Sequence, residues 1–112
     1  YERPESLFVA GFIGSPKMNL IVGSKAEPFK AHTVGVRSEH MVVSADSGSW
    51  NGTVIHTENL GSDSYVYVDM GQEEPVVLRV DGSTKYRSGD TVYFSPMEGR
   101  IHRFDAAGKP ID

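Results

Sequence analysis

The stretch that decides the fold class is residues 65–80, which read YVYVDMGQEEPVVLRV. Its first half alternates two sets of side chains, Val66, Val68 and Met70 on one face and Tyr65, Tyr67 and Asp69 on the other. A period of two is typical of a β-strand with one buried face. The second half repeats the pattern, with an apolar set formed by Val76, Leu78 and Val80. We therefore predict two strands here, each with one face in the core.

The same kind of run recurs along the chain. Short β-branched or aromatic runs predict strands at Leu20–Val22, His32–Val36, Met41–Ser44, Gly52–Leu60, Tyr65–Met70, Val76–Val80, Thr91–Ser95 and Ile101–Phe104. Turn-forming residues separate several of them, at positions 47–49, 61–63, 81–82 and 88–90. Eight short strands without helices between them predict an all-β chain, folded as an antiparallel barrel or sandwich.

The N-terminal residues carry a different pattern. Pro4 and Glu5 suit the first turn of a helix, and Gly14-Ser15-Pro16 would end it. The apolar side chains between these signals, Leu7, Phe8, Val9, Ala10, Phe12 and Ile13, lie on nearly all sides of such a helix. A helix of this kind must be buried. We predict a short helix within residues 1–16 and a β domain over residues 17–112.

Composition excludes several classes of function. The chain has 112 residues and a net charge of −4, with no cluster of the basic residues that a nucleic-acid surface needs. It has no cysteine, which excludes disulfides and thiolate metal sites. No run of 18 apolar residues is present, so the sequence predicts no membrane insertion.

A search for catalytic chemistry finds no convincing set. The four histidines, at 32, 40, 56 and 102, lack the close spacing of a metal site. Ser38, Glu39 and His40 offer nucleophile, acid and base, but neighbours on a strand point to opposite faces. Neither a phosphate-binding Gly-x4-Gly-Lys-Ser/Thr loop nor a Gly-x-Gly-x-x-Gly motif occurs. The residues therefore predict a binding or interaction module.

Five segments carry a family resemblance that covers most of the chain. These are residues 1–19, 34–40 (VGVRSEH), 54–63, 87–92 (RSGDTV) and 102–108 (HRFDAAG). In this order they resemble the C-terminal regulatory domain of importer ATPases of the maltose, trehalose and glycerol-phosphate type. Residues 1–19 are similar to the junction at which the nucleotide-binding domain of that family ends.

The resemblance implies small OB-like barrels of the "transport-associated OB" type, as part of an ABC importer for carbohydrates or related solutes. It also implies a second copy of the subunit, the subunit's own nucleotide-binding domain and, indirectly, the transporter membrane subunits as partners. The expected location is the cytoplasmic face of the bacterial plasma membrane. No cofactor is expected on this chain, because ATP and magnesium would bind the upstream domain, and no catalytic residue is expected.

Six residues are candidates for regulation or an interface. Phe8 and Phe12 would leave an apolar patch on the junction helix, through which two copies could associate. Arg37 and Glu39 are expected on the same face of one strand, with His40 beside them. Glu58 lies in the fourth predicted strand, in a segment that resembles the family.

Three departures from the family pattern stand out. Ser38 replaces the usual proline, and Arg103 stands where an apolar residue is common. Only the fourteen residues Leu20–Thr33 separate Asn19 from Val34, where the family has room for extra strands. The short segment indicates that one of two barrels is reduced.

Two alternatives belong to other classes. A stand-alone small-anion-binding oligomer of the OB type would need backbone amides with residues such as Lys17-Met18-Asn19 and Ser62-Asp63 around a pocket. An oligonucleotide-binding OB-fold would need exposed aromatics among basic residues. Tyr65 and Tyr67 supply the aromatics, but the neighbouring aspartates would repel phosphate.

Overall fold

In the computed structural model, residues 17–82 and 84–111 are described. They form eight strands: β1 (Asn19–Val22), β2 (Thr33–Val36), β3 (Met41–Ser44), β4 (Trp50–Asn59), β5 (Asp63–Asp69), β6 (Val76–Asp81), β7 (Thr91–Pro96) and β8 (His102–Phe104). The predicted all-β fold is confirmed, and all eight predicted strands are found. The predicted helix within residues 1–16, including Phe8 and Phe12, lies outside the described residues.

The chain divides into two compact units, and the boundary leaves one of them discontinuous. Unit 1 comprises residues up to Arg37 together with those from Glu98 onward, and unit 2 comprises residues 38–97. No described helix is long and apolar enough to cross a membrane.

Unit 1 is built on a three-stranded antiparallel sheet with the order β1-β2-β8. All four residues of β2 are buried, because this strand is central and lies between the two others. The buried apolar side chains of the unit are Met18, Ile21, Ala26, Val34, Val36 and Phe104. Gly35 lets Met18 pack closely against the middle of β2, since a Cβ there would lie 2.5 Å from the sulfur of Met18 and that side chain would have to shift.

The short connection between β1 and β2 holds two 3-10 turns, Gly23–Lys25 and Glu27–Phe29. Lys30 ends the second turn with a left-handed backbone, φ 59°. Arg103 on β8 donates from Nη1 to the carbonyl oxygens of Phe29 and Lys30, at 3.1 and 3.4 Å. Arg103, one of the departures from the family pattern, thus contacts the short segment between β1 and β2, which is another.

Unit 2 is a five-stranded antiparallel sheet with the order β3-β7-β4-β5-β6, curved into a nearly closed barrel. Its interior holds Met41, Trp50, Val54, Val66, Val68, Met70, Val76, Leu78, Val92 and Phe94. The two largest rings, Trp50 and Phe94, meet at 5.9 Å between centroids. The predicted faces of β5 and β6 are confirmed, except that Val80 near the end of β6 is only half-buried.

A β-bulge interrupts β4. Val54 pairs with Val68, but His56, and not Ile55, pairs with the next residue, Tyr67. Ile55 is therefore the extra residue, and its side chain is 43% exposed. Since strand side chains alternate, the added residue moves His56 from the buried face to the outer face.

The prediction that Arg37 and Glu39 lie on the same face of one strand is wrong. Arg37 and Glu39 do not share a strand face, because β2 ends at Val36 and Ser38–His40 form a 3-10 turn. In a 3-10 helix successive residues are about 120° apart around the axis, so the two-residue spacing no longer aligns side chains. The unit boundary also falls between Arg37 and Ser38.

Candidate interaction surface

The polar side chains that strand register brings together lie on the outer face of β4, β5 and β6. His56 lies opposite Tyr67, Glu58 lies opposite Tyr65, and Tyr65 lies opposite Arg79. We call His56, Glu58, Asp63, Tyr65, Tyr67 and Arg79 the outer polar face. Directly opposed side chains on neighbouring strands are close enough to interact, so each cross-strand pair can contribute to this surface.

One half of the face is formed by His56, Tyr67 and Glu58. The imidazole and phenol rings stack at 4.3 Å between centroids with 12° between their planes. The hydroxyl of Tyr67 donates to Oε1 of Glu58 at 2.8 Å. This hydrogen bond, together with partial burial and the negative charge of Glu58, raises the pKa of Tyr67. The trio thus places a stacked pair of aromatic rings beside a carboxylate.

The other half is centred on Arg79. Its guanidinium donates from Nε and Nη2 to Oδ2 of Asp63, at 2.8 and 2.5 Å. The guanidinium carbon lies 5.9 Å from the centroid of the Tyr65 ring, within range of a cation–π interaction. The hydrogen bond to Asp63 is the main cause that raises the pKa of Arg79, and the charge of Glu39 adds to it. Because Arg79 is 42% exposed, this ion pair contributes little to stability.

The predicted site residues separate in the structure. Glu39 is exposed and close enough to influence Arg79, and Glu58 lies on the outer polar face, so these two share one region of unit 2. His40 is half-buried, and its carbonyl oxygen accepts from the backbone of Met97 at 2.8 Å. Arg37 is half-buried and belongs to unit 1.

Sequence reasoning missed His56, Tyr67 and Arg79 as site residues. Alternation alone places Tyr65 and Tyr67 outward, and this signal was present in the sequence. The position of His56 depends on the bulge at Ile55, and the pattern of residues along β4 does not indicate a bulge. Strand neighbours become a cluster only when the register of β4, β5 and β6 is known.

Little in the described residues supports a metal or anion site. No group of three or more His, Asp or Glu side chains within residues 17–82 and 84–111 could hold a metal ion. Of the residues considered for an anion pocket, Met18 and Asn19 are buried. Asp63 is bound by Arg79 and presents a carboxylate, which would repel an anion. The arrangement is suited to binding through aromatic rings and carboxylates.

Comparison with known proteins agrees with this architecture. A family described as the TOBE domain matches residues 34–104. The alpha-glucoside transport ATP-binding protein AglK of Rhizobium meliloti is 33% identical over 97% of this chain and 38% of its own length. The sn-glycerol-3-phosphate import ATP-binding proteins UgpC of R. meliloti and Paracoccus denitrificans are each 34% identical, over 99% and 100% of this chain and 36% and 37% of their own lengths.

The chain spans a little more than a third of the length of these curated relatives. The alignments extend over 127 to 136 positions, more than the 112 residues of the chain. Each relative therefore has residues without a counterpart here.

Proposed function

Because the chain belongs to the TOBE domain family, we propose that it is the regulatory and dimerising part of an ABC importer's ATP-binding subunit, with carbohydrates or related solutes as cargo. The proposal rests on how much of this chain aligns with the relatives, 97% for AglK and 99% for UgpC of R. meliloti. Nearly all of the chain matches one third of proteins named for alpha-glucoside transport and sn-glycerol-3-phosphate import. A barrel with an exposed polar face and a packed interior suits a domain that contacts other proteins.

On this proposal the chain itself is not catalytic. ATP and magnesium would bind the rest of the parent subunit, since this sequence has no phosphate-binding loop. The partners would be a second copy of the subunit, its nucleotide-binding domain and, through that domain, the membrane subunits. The complex would lie on the cytoplasmic face of the plasma membrane.

A chimera tests the proposal. The matching third of R. meliloti UgpC is replaced by this chain, and the complete transporter is assembled with its membrane subunits in lipid nanodiscs. ATP hydrolysis is then measured with and without the solute and its binding protein. We expect the chimera to assemble and to keep at least half of the solute-stimulated hydrolysis of native UgpC, while a UgpC truncated before this third loses assembly or coupling.

Two results would contradict the proposal. The chimera could fold and bind ATP but behave like the truncated control, which would show that the chain cannot replace a regulatory domain. Alternatively, isothermal calorimetry of the chain alone could show saturable binding of magnesium ATP, which would contradict a role without nucleotide.

A further inference from the structure

The acidic residues of this chain are concentrated in one unit. Residues 38–97 contain nine Asp and Glu against three Lys and Arg, whereas the described residues of unit 1 contain three against seven. The net charge of −4 is therefore unevenly distributed, since unit 2 is strongly acidic and the described part of unit 1 is basic. Complementary charge steers association and selects partners, so the acidic unit is suited to a cationic partner.

On the outer polar face, one of the acidic residues of unit 2 lies beside aromatic rings. His56 and Tyr67 offer stacked rings, and Glu58 lies beside them, held by the Tyr67 hydroxyl. His56 and Glu58 are both exposed. A guanidinium can lie flat on aromatic rings while it donates to a carboxylate, whereas a lysine ammonium does this less well.

The other half of the face shows this mode of recognition within the chain. Arg79 donates to Asp63 and lies over the ring of Tyr65. The neighbouring half repeats the same combination of a carboxylate and an aromatic ring, in Glu58 and Tyr67. Among the described residues, no lysine or arginine forms an ion pair with Glu58. The two halves differ in that only one has an arginine from the chain itself.

We propose that His56, Glu58 and Tyr67 form a docking site for an arginine side chain in a basic segment of a partner protein. The arginine stacks on an outer face of the His56–Tyr67 ring pair and donates to Glu58, as Arg79 lies over Tyr65 and donates to Asp63. The bulge at Ile55 is part of the site, because it brings His56 onto the outer face. This inference does not depend on the transporter assignment.

The test uses the whole chain, labelled with 15N and 13C, and a capped pentapeptide of alternating glycine and arginine. We expect saturable chemical-shift changes centred on the His56, Glu58 and Tyr67 signals. The same peptide with lysine should bind at least fivefold more weakly. Binding should weaken as salt rises from 50 to 300 mM, since the contact is ionic and exposed.

A matched pair of variants decides specificity. Glu58→Gln and Glu73→Gln remove one negative charge each, and both positions are exposed on unit 2. We expect Glu58→Gln to weaken arginine-peptide binding at least fivefold and Glu73→Gln less than twofold. The amide shifts of the free variants should change only near the substituted residue and, in Glu58→Gln, near Tyr67. Equal effects of the two variants, equal affinity for the lysine peptide, or no saturable binding by the unsubstituted chain would each overturn the proposal.

Discussion

At the scale of single residues, the pKa of the Tyr67 hydroxyl depends on its contact with Glu58 on the outer polar face. The hydrogen bond to Glu58 and the charge of that carboxylate favour the protonated phenol, so the pKa of Tyr67 lies above its ordinary value of 10.0. The folded-state pKa thus exceeds the unfolded one. The contact with Glu58 therefore stabilises the folded state fully below pH 10, and this contribution is lost as the pH rises through the folded-state pKa.

This predicts a titration that depends on Glu58. We expect 13C NMR of the tyrosine Cζ atoms to show that Tyr67 ionises above pH 10, with the signal assigned by its loss in Tyr67→Phe. Glu58→Gln keeps an acceptor but removes the charge, so the pKa of Tyr67 should fall toward 10. Glu73→Gln is the control and should leave it unchanged. An equal response to both variants would show that Glu58 has no specific effect.

Ser38 permits a second prediction at this scale. Its side chain is buried, and its Oγ has no hydrogen-bond partner among the described residues. A buried polar atom left unbonded costs about 1–3 kcal/mol. We expect Ser38→Ala to leave stability unchanged or raise it by about 1 kcal/mol in urea unfolding. Ser38→Pro should raise it similarly, because proline suits the first position of a helical turn.

Ser88→Ala, at an exposed turn, is the control and should change stability by less than about 0.5 kcal/mol. A clear loss of stability in Ser38→Ala would mean that the hydroxyl is hydrogen-bonded in solution.

At the scale of secondary-structure elements, β4 depends on a glycine. A Cβ added at Gly52 would lie 2.5 Å from the carbonyl oxygen of Asp69 and 2.5 Å from Cγ1 of Val68. The carbonyl belongs to the backbone next to β4 and cannot rotate away. We expect Gly52→Ala to lower the free energy of unfolding by about 1–3 kcal/mol. The neighbouring exposed residue serves as control, and Asn51→Ala should cost less than about 0.5 kcal/mol.

The connection between β1 and β2 depends on a side chain from a distant strand. Arg103 bonds the carbonyls of Phe29 and Lys30, which end the second 3-10 turn. We expect Arg103→Leu to speed amide hydrogen exchange within residues 23–32 at least tenfold, while amides of unit 2 keep their rates. Arg100→Leu, an exposed control, should have no such effect. Unchanged exchange in Arg103→Leu would show that the turns hold themselves.

The elements also show what the sequence could and could not predict. Each strand boundary was predicted within two residues, because alternation and turn residues are local properties. The bulge at Ile55 and the turn at Ser38–His40 were not predicted. The bulge depends on the register between β4 and β5, which the pattern of residues along one strand does not fix, and it reverses which residues face outward. The outer polar face was missed for the same reason, although Glu58 was named.

At the scale of the whole molecule, the two units differ in how the chain builds them. The sheet of unit 1 needs β8 from the C-terminal segment to pair with β2. Every strand of the unit 2 sheet comes from Met41–Pro96, and each pairs with another strand of that segment. Unit 2 is thus continuous in sequence, and its sheet takes no strand from outside that segment.

We therefore predict that residues 38–97 fold when expressed alone. The fragment keeps ten buried apolar side chains, including Trp50 and Phe94, and each large one contributes about 1.5–3 kcal/mol. A domain of about 60 residues buries only some 60% of its unfolded surface, so its stability should be modest. We expect a cooperative urea transition followed by Trp50 fluorescence, and amide shifts of 41–96 close to those in the whole chain. A fragment of residues 17–37, which lacks β8, should stay unfolded. Unfolded-chain shifts and no cooperative transition in 38–97 would mean that this barrel needs residues outside its own sheet.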